Sequence, residues 1–560
     1  MSTVLATHIL PMFAMLTPPQ WAEYGAVLPG AIACGTVLVL VLLNVFHKGS
    51  ETSRDYLAYV GAVGLGIATL SVWFLWDDTV ARPVFNGMLY FDKFTLLFSG
   101  LFCLSGIFAM LMSPSYLRNQ GMDRTEYYLL ILSSVCGMAY LAGSADMLSF
   151  FVAFEVMSIP VYCVAGFLRR DSRSAEAAMK YFILGAFSSA LMLYGIALLY
   201  GLTGTTSIAF IGEHLAELLT SPGAAAGNPM ILLAMLLILS GFAFKIASVP
   251  FHLWTPDVYT GSPTPSVGFM ATAVKASAFA PMIRIFNVTF GDVAQVGSQM
   301  ISLRGGFYGW GWVDVLVFIA GFSMVLGNLV AMTQDNVKRM LAYSTIAHAG
   351  YILVGFTAAG AKPEFFLHND AVIFYLITYT FGTLGAFGVL AYLDKQGDPT
   401  ESYDDLAGLG FEYPTIGLMM GIFMFSSAGI PPTAGFVGKL YVFKSAVDVG
   451  ISTGEYLFVG MAVLAVLTSV AGVYYYLRVL VYMYMRPKKR ELGEKVGHPA
   501  GKFAIVACGL LTLYLGILPA RALNLSRQAI VDFAGAPDAV QQVIDQGKAQ
   551  MEEASDSEGS

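Results

Sequence analysis

Charge is scarce in this sequence. Aspartate, glutamate, lysine and arginine make up only 12% of the 560 residues, whereas 57% are hydrophobic and the mean hydropathy is +0.68. So few charged side chains do not cover the surface of a soluble protein of this length, and long apolar runs are typical of membrane-spanning helices. The composition therefore excludes a soluble globular protein and indicates an all-α polytopic membrane protein.

The sequence also lacks the motifs of nucleotide and metal binding. It contains no glycine-rich phosphate loop and no dinucleotide fingerprint. Its five cysteines stand isolated within apolar runs, without metal-ligand spacing. The net charge of -7 argues against a nucleic-acid partner. We therefore expect no cofactor, no metal and no structural disulfide in this chain.

Apolar runs long enough to cross a bilayer recur along the chain. A spanning helix needs about 20 predominantly apolar residues. Fourteen candidates meet or approach this length, and they lie near residues 24–46, 56–75, 94–112, 125–141, 147–168, 175–200, 229–249 with a broken continuation, 265–290, 312–332, 337–357, 371–393, 416–447, 457–485 and 503–519.

Two of these segments combine a lysine with helix-breaking prolines. In GFAFKIASVPFHLWTPDVY, Lys245 precedes two prolines, and in MFSSAGIPPTAGFVGKLYVF two prolines precede Lys439. An interrupted helix leaves backbone groups that hydrocarbon cannot hydrogen-bond, and a buried ammonium needs a partner. We interpret the segments as broken seventh and twelfth helices whose breaks are covered by protein or water.

The two broken helices are five helices apart. Because five is odd, equivalent helices cross the membrane in opposite directions, as in the inverted repeats of ion-coupled transporters. We therefore predict two inverted five-helix repeats, repeat one at 124–290 and repeat two at 312–486. The predicted organisation also has an N-terminal interfacial segment at 1–23, helices 1–3 at 24–116, helix 14 at 501–520 and an acidic, disordered tail at 521–560.

Lysine and arginine concentrate on alternate connections between the predicted helices. Basic loops stay on the cytoplasmic side of a membrane. With an even number of helices, this pattern predicts that both termini lie on the outer side of the membrane.

Ionisable residues deep in several helices indicate proton transfer. Desolvation in the bilayer favours the neutral amine of a lysine, and a nearby carboxylate favours the charged form, so a lysine with a movable carboxylate is a proton switch. The candidates are Glu155, Lys180, Lys245, Lys275 and Lys439. Two alternatives stay open, because Lys180 lies near a helix end where it can snorkel, and Glu155 can belong to a structural ion pair.

Three further residues are secondary candidates for proton transfer: His348, His252 and Lys338. The first is either a relay or a hydrogen-bonded core histidine, and the second either carries protons or caps backbone groups freed by Pro250. The third lies at a helix end, where it serves proton uptake or orientation. We expect Arg284, Lys444 and Arg478 to snorkel, and the many Phe and Tyr side chains to face lipid and the interface.

Four runs closely resemble the N subunits of bacterial NADH-quinone oxidoreductase, respiratory complex I, whose mitochondrial counterpart is subunit 2. They are KYFILGAFSSALMLYGIALLYG, TPDVYTGSPTPSVGFMATAVKASAFA, KRMLAYSTIAHAGY and GIPPTAGFVGKLYVF. The resemblance extends from the first helix to the fourteenth. A lysine at 439 is similar to the N subunit, whereas the related M subunit typically carries glutamate there.

The resemblance implies roles for the candidate residues. Glu155 matches the fifth-helix glutamate, and Lys180 the sixth-helix lysine that pairs with it across to the neighbouring subunit. Lys245 and Lys439 match the lysines of the two broken helices, and Lys275 the connecting lysine of the eighth.

The resemblance also implies what surrounds the chain. It implies a proton-translocating subunit next to the K and M subunits of the membrane arm, in contact with lipid, with NADH, FMN, iron-sulfur clusters and quinone bound by other subunits. A subunit of a multisubunit cation/proton antiporter and a non-conducting scaffold are the alternatives.

Overall fold

The structure is a computed structural model that describes residues 23–46, 55–79, 81–122, 124–220, 229–291, 311–394, 400–489 and 499–534. The predicted interfacial segment at 1–23 lies outside these residues, apart from Glu23. The helices up to the middle of the chain are α1 Tyr24–Phe46, α2 Asp55–Trp76, α3 Lys93–Asn119, α4 Thr125–Ala142, α5 Met147–Ala165, α6 Ser172–Thr203, α7 Ile208–Thr220, α8 Pro229–Lys245, α9 Thr255–Gly261, α10 Thr264–Phe269 and α11 Lys275–Val288.

Within the described residues, the second half continues with nine α-helices. They are α12 Trp312–Met332, α13 Val337–Ala359, α14 Asn369–Tyr392, α15 Leu409–Glu412, α16 Pro414–Ala428, α17 Ala434–Thr453, α18 Tyr456–Met485, α19 Pro499–Ile517 and α20 Ala520–Phe533. A π-helical turn, Met270–Val274, joins α10 to α11, and 3₁₀ turns occupy Pro363–His368 and Asp404–Leu406. An antiparallel hairpin, β1 Arg82–Val84 and β2 Leu89–Phe91, precedes α3.

Polar caps set several helix starts. The side chain of Asp92 accepts a hydrogen bond from Thr95 N at the start of α3, and Asp146 accepts from Leu148 N and Ser149 N at the start of α5. A carboxylate at this position satisfies amide groups that have no partner within the helix. These caps fix where α3 and α5 begin after the short connections that precede them.

Twelve helices of the described residues are long and apolar enough to cross a membrane, or thirteen if 404–412 and 414–428, bent by 117°, form one span. The chain leaves the helical conformation at both places where breaks are predicted, between Lys245 and Thr255 and between Ala428 and Ala434. The apolar helix before the first break has only 17 residues, and that before the second has 15. Fourteen spans, with the seventh and twelfth broken, therefore remain a prediction.

The two predicted repeats share an order of elements. In each, three helices come first, then a pair of helices on either side of a break, and then a long helical segment. In the first repeat these are α4 to α6, then α8 and α9, then α10 to α11. In the second they are α12 to α14, then α16 and α17, then α18. The surface helix α7 and the short α15 are additions to this order. The inverted relation between the repeats stays a prediction.

The prediction of a disordered tail from residue 521 is wrong for its first part. Residues Ala520–Phe533 form α20, which buries Ala522, Ser526, Ala529 and Ile530. Those residues recur at helical spacing and give the segment an apolar stripe. Most acidic residues that suggested a tail follow residue 534, outside the described residues.

Arg284 does not snorkel, contrary to expectation. Its side chain is 2% exposed, and Nη2 lies 2.8 Å from Asp92 Oδ2. Its guanidinium carbon lies 4.8 Å from the ring centre of Tyr90 and 4.6 Å from that of Phe533. The ion pair and the aromatic rings hold this arginine inside the bundle because a planar guanidinium both pairs with carboxylate and stacks on rings. Arg284 thus joins α11, the start of α3 and the end of α20.

Candidate functional site

Lys245 is the last residue of α8, and it is 2% exposed. Its Nζ donates to Tyr162 Oη at 3.2 Å and lies 4.7, 5.1 and 5.5 Å from the ring centres of Tyr162, Phe154 and Tyr181. The faces of these rings are electron-rich and stabilise an ammonium without neutralising it. Among the described residues no carboxylate oxygen lies within 4.0 Å of Lys245 Nζ, and its direct contacts are one hydroxyl group and three rings.

The backbone at the first break is satisfied by side chains of the protein. The carbonyl oxygen of Phe244 accepts a hydrogen bond from Trp254 Nε1 at 3.1 Å. Val249 N donates to Ser323 Oγ of α12 at 2.9 Å. The freed groups thus find the partners that hydrocarbon would not supply, and Lys245 keeps a fixed position beside the break.

Lys275 follows the π-helical turn and is 1% exposed. Its Nζ donates to the carbonyl oxygen of Thr345 on α13 at 2.5 Å and lies 5.5 Å from the ring centre of Tyr379 on α14. Such π-helical turns are frequent at functional sites, where they change the direction of neighbouring side chains. The turn places Lys275 against the helix that carries His348.

His348 lies between two tyrosine hydroxyl groups in the middle of α13. Its Nδ1 is 2.7 Å from Tyr375 Oη, and its Nε2 is 3.0 Å from Tyr476 Oη. The ring centre is 5.0 Å from that of Tyr379, the ring that Lys275 also contacts. The side chain is 4% exposed. Both ring nitrogens are therefore in hydrogen-bond contact with groups that donate and accept, as a proton relay requires.

Lys439 lies in α17, just past the second break, and is 4% exposed. Its Nζ donates to the carbonyl oxygen of Ser427 at 2.8 Å and to Ser469 Oγ at 2.7 Å. The Ser427 carbonyl belongs to the last turn of α16. A carbonyl group at this position has no amide partner within its helix, and the helix dipole there favours a cation. The ammonium is also 5.1 Å from the ring centre of Tyr351.

Lys275, His348 and Lys439 thus form one buried cluster joined by aromatic rings, which we call the central line. Tyr379 lies between the first two members, and Tyr351, whose ring centre is 5.6 Å from that of His348, lies between the last two. A cavity of about 10 Å³ lies within the line, and its walls include His348, Tyr375, Tyr379, Ser426 and Ser427. That is close to the volume one water molecule needs.

Lys180 forms two ion pairs within the chain. Its Nζ lies 2.6 Å from Glu176 Oε1 and 2.7 Å from Asp257 Oδ2, and its side chain is 39% exposed. Asp257 also binds Arg339 Nη1 of α13 at 2.8 Å. Within the described part of this chain, Lys180 thus pairs with Asp257 and Glu176. Its pairing with Glu155 across to the neighbouring subunit stays a prediction.

Glu155 borders an open groove of about 440 Å³ on the side of the bundle. The other walls of the groove are Ser133, Phe151, Val152, Val156, Ile159 and Pro160. The carboxylate Oε1 is buried and has no hydrogen-bond partner among the described residues. Glu155 therefore lies at the edge of the bundle, where its charge acts on Lys245 and Tyr162.

The two other secondary candidates lie at the first break and at the end of the short helix that follows it. Lys338 is 4% exposed, and its Nζ is 3.4 Å from the carbonyl oxygens of Thr260 and Ser262 at the end of α9. It is therefore buried against a helix end and does not extend into solvent. His252 is buried next to the break, and its Nδ1 has no partner among the described residues.

Sequence reasoning missed the tyrosines and Asp257. Tyr162, Tyr351, Tyr375, Tyr379 and Tyr476 are buried at the lysines and His348, whereas the expectation placed tyrosines at lipid and the interface. Spacing along α14 offered a signal for two of them, since Tyr375 and Tyr379 are four residues apart and share a helix face. Asp257 lies in the segment GFAFKIASVPFHLWTPDVY, but it was not predicted to be the partner of Lys180.

A bundle of membrane-spanning helices with buried lysines at helix breaks defines an antiporter-like membrane protein. The family model described as "NADH:quinone oxidoreductase/Mrp antiporter, TM" matches residues 144–468. NADH-quinone oxidoreductase subunit N of Trichlorobacter lovleyi is 41% identical over 515 residues, which cover 91% of this chain and 98% of that protein.

Two solved structures have a similar chain. One, in respiratory complex I from Thermus thermophilus with bound aureothin, is 34% identical with a TM-score of 0.70 and covers 89% of this chain and 99% of its own length. Another, in the Mrp complex from Dietzia, is 22% identical with a TM-score of 0.73, covers 92% of this chain and 99% of its own length, and shows a shared fold. The chain belongs to the family of NADH-quinone oxidoreductase subunit N, the antiporter-like subunits of the membrane arm.

Proposed function

We propose that this chain translocates protons across a bacterial inner membrane as a membrane-arm subunit of NADH-quinone oxidoreductase, driven by quinone reduction in other subunits. NADH, FMN, iron-sulfur clusters and quinone are bound elsewhere in the complex. The observation that carries the proposal is the central line, in which Lys275, His348 and Lys439 are all less than 5% exposed. Ionisable groups are costly inside a bilayer and mark the paths of ions.

The chemistry of the central line supports proton transfer. A protonated lysine has three donor hydrogens and a neutral one has a free lone pair, so each lysine can hold or pass one proton. His348 can accept a proton at one ring nitrogen and release one from the other without turning. A water molecule in the adjacent cavity would join His348 to the Ser427 carbonyl that binds Lys439.

Lys245, Lys180 and Glu155 form the uptake side of the proposed path. Tyr181, next to Lys180 in sequence, contacts Lys245 through its ring at 5.5 Å. The position of Glu155 in the wall of an open groove supports a contact with a neighbouring subunit, which we assign to the adjacent membrane-arm subunits K and M. Movement of charge in that neighbour would then change the charge on Lys180 and, through it, on Lys245. Both termini are placed on the periplasmic side.

Lys439→Ala in the intact complex tests the proposal. NADH-driven proton uptake by inverted membrane vesicles is expected to fall at least tenfold, equivalent to about 1.4 kcal/mol, with assembly preserved. Lys502→Ala is the control, since Lys502 is an exposed lysine of α19. Unchanged pumping by an assembled Lys439→Ala complex would overturn the proposal.

The same preparations separate the two alternatives. An independent cation/proton antiporter would be purified without the electron-transferring subunits and would exchange cations without NADH. A scaffold would lose assembly when buried lysines are neutralised, while any assembled complex kept its ratio of protons to electrons.

A further inference from the structure

A second group of polar residues lies beyond the central line, where α14 begins and α17 ends. His368 Nδ1 is 2.7 Å from Ser445 Oγ. Asp370, Asp448, Lys444 and Arg527 surround this pair and interact electrostatically with His368. We call His368, Ser445 and these four charged residues the distal cluster. None of its members belongs to the central line.

Matched faces of α14 and α17 connect the two groups. His368, which caps the start of α14, is followed at intervals of four and three residues by Val372 and Tyr375. On α17, Gly438, Val442 and Ser445 recur at the same intervals, so each set follows one side of its helix. The two ends of the faces are in contact. A Cβ on Gly438 would lie 3.2 Å from Tyr375 Cδ2, and His368 binds Ser445.

The middle of these faces is apolar and is closed by α13. A Cβ on Gly355 would lie 2.9 Å from Val442 Cγ1 and 3.3 Å from Val372 Cγ2, so both valines contact this glycine. Gly355 is seven residues beyond His348 on α13 and on the same face. We call Gly355, Val372 and Val442 the valine layer. It lies between Tyr375, which binds His348, and His368.

The valine layer is a barrier to protons. Tyr375 and His368 are seven residues apart, which is about 10 Å along a helix. Methyl groups neither donate nor accept hydrogen bonds, so an apolar layer between these two residues does not carry a proton until water enters it. Histidine is the side chain whose charge changes between about pH 5 and 8. The structure therefore places a titratable group at the first polar position past the barrier.

We infer that His368 accepts the proton that leaves the central line and releases it to the aqueous phase at the end of α17. The inference rests on the proposed function and adds its release side. When water fills the valine layer, a proton passes from Lys439 to a ring nitrogen of His368, which leaves a neutral amine and an imidazolium. The imidazolium then gives the proton to bulk water, and Ser445 keeps the ring in place.

The charges around His368 suit a transient cation. Arg527 lies 3.5 Å from Asp370, and Lys444 lies 3.9 Å from Asp448. Each carboxylate thus has its own basic partner, and the ring faces no unpaired acid among these groups. An imidazolium is therefore formed without being trapped in a strong ion pair.

His368→Gln in the intact complex tests the inference. NADH-driven proton pumping is expected to fall at least threefold with assembly preserved, whereas His214→Gln, at an exposed histidine of α7, leaves pumping unchanged. If Lys439→Ala stops pumping and His368→Gln does not, the inference is overturned while the proposed function stands. If both assembled variants pump normally, both proposals fail.

A second variant tests the barrier itself. Val372→Thr preserves shape and adds a hydroxyl group to the valine layer, so passive proton leak through the complex in liposomes is expected to rise at least twofold without NADH. Adding His368→Gln should return the leak to the wild-type level. If that double variant does not assemble, the leak through Val372→Thr must still change with pH on the release side between about pH 5 and 8; a flat profile would overturn the inference.

Discussion

Asp257 holds Lys180 at 2.7 Å with one carboxylate oxygen and Arg339 at 2.8 Å with the other. The carboxylate joins α6 and α13 through the short helix α9, which directly follows the first break. One residue therefore connects the expected uptake lysine to the helix that carries His348.

Asp257→Asn is expected to lower proton pumping without preventing assembly. The three side chains are 35 to 39% exposed, and ion pairs of this kind stabilise a protein by only about 0–1 kcal/mol. The effect should therefore fall on the position and charge of Lys180. Pumping and NADH oxidation are measured in the same vesicles. Glu176→Gln, which leaves Asp257 in place, should have the smaller effect, and the reverse order would contradict the assignment.

Tyr375→Phe and Tyr476→Phe each remove one hydrogen bond to His348. Loss of one such bond costs about 0.5–1.5 kcal/mol, so either variant should fold and assemble. We expect proton pumping to fall in both variants, because Tyr375→Phe removes the contact of Nδ1 and Tyr476→Phe removes the contact of Nε2. The check is the ratio of protons pumped to NADH oxidised. Tyr194→Phe, at an exposed tyrosine of α6, is the control, and equal pumping by all three variants would argue against a relay.

Asp92→Ala should destabilise the protein strongly. It leaves the guanidinium of Arg284 buried without its carboxylate, which costs about 3–5 kcal/mol. The expected result is a lower Tm of the purified complex and less assembled material. Asp92→Ala combined with Arg284→Met should recover much of the loss, because no unpaired charge then remains. A double variant less stable than Asp92→Ala would show that the ion pair is not the cause.

The docking of α20 should depend on pH through Asp532. Burial raises the pKa of the Asp532 carboxyl, and the nearby charge of Asp92 raises it further, although the hydrogen bond from Lys93 N lowers it. A carboxyl whose pKa is higher in the folded than in the unfolded state favours folding at low pH. Its stabilising contribution is complete below the unfolded pKa and is lost as pH rises through the folded one.

Limited proteolysis of α20 in detergent should therefore be slower at pH 5 than at pH 8. Asp532→Asn keeps an oxygen to accept from Lys93 N and removes the titration, so its cleavage rate should differ less between the two pH values. A protease whose own activity is calibrated at both pH values is needed. An unchanged pH dependence in Asp532→Asn would exclude this carboxyl as the origin.

The helical class could be predicted, and so could the two places where the chain leaves the helical conformation, because both depend on local properties. Apolar runs and prolines limit a segment wherever it lies in the fold, so Lys245 and Lys439 were recognised as lysines beside broken helices. Caps such as Asp92 follow from local hydrogen bonding in the same way. The segment 520–533 was misjudged because the acidic residues after it dominated the composition.

Partners of the charged residues could not be predicted, because they come from distant parts of the chain. Arg284 is 192 residues from Asp92, Lys180 is 77 from Asp257, and His348 is 128 from Tyr476. Depth along a helix indicates that a side chain is buried, but not which helix faces it. For this reason Arg284 was expected to snorkel, and the tyrosines were expected at the interface.

The sequence by itself determined that this is a helical membrane protein with lysines at two interrupted helices, because hydropathy and proline act within a few residues. Only the tertiary structure decided that Lys275, His348 and Lys439 share tyrosine rings, that Lys180 binds Asp257, and that three residues of α13, α14 and α17 form an apolar layer. Those relationships depend on how helices rotate and pack against one another, which is set by the whole bundle and not by any one segment.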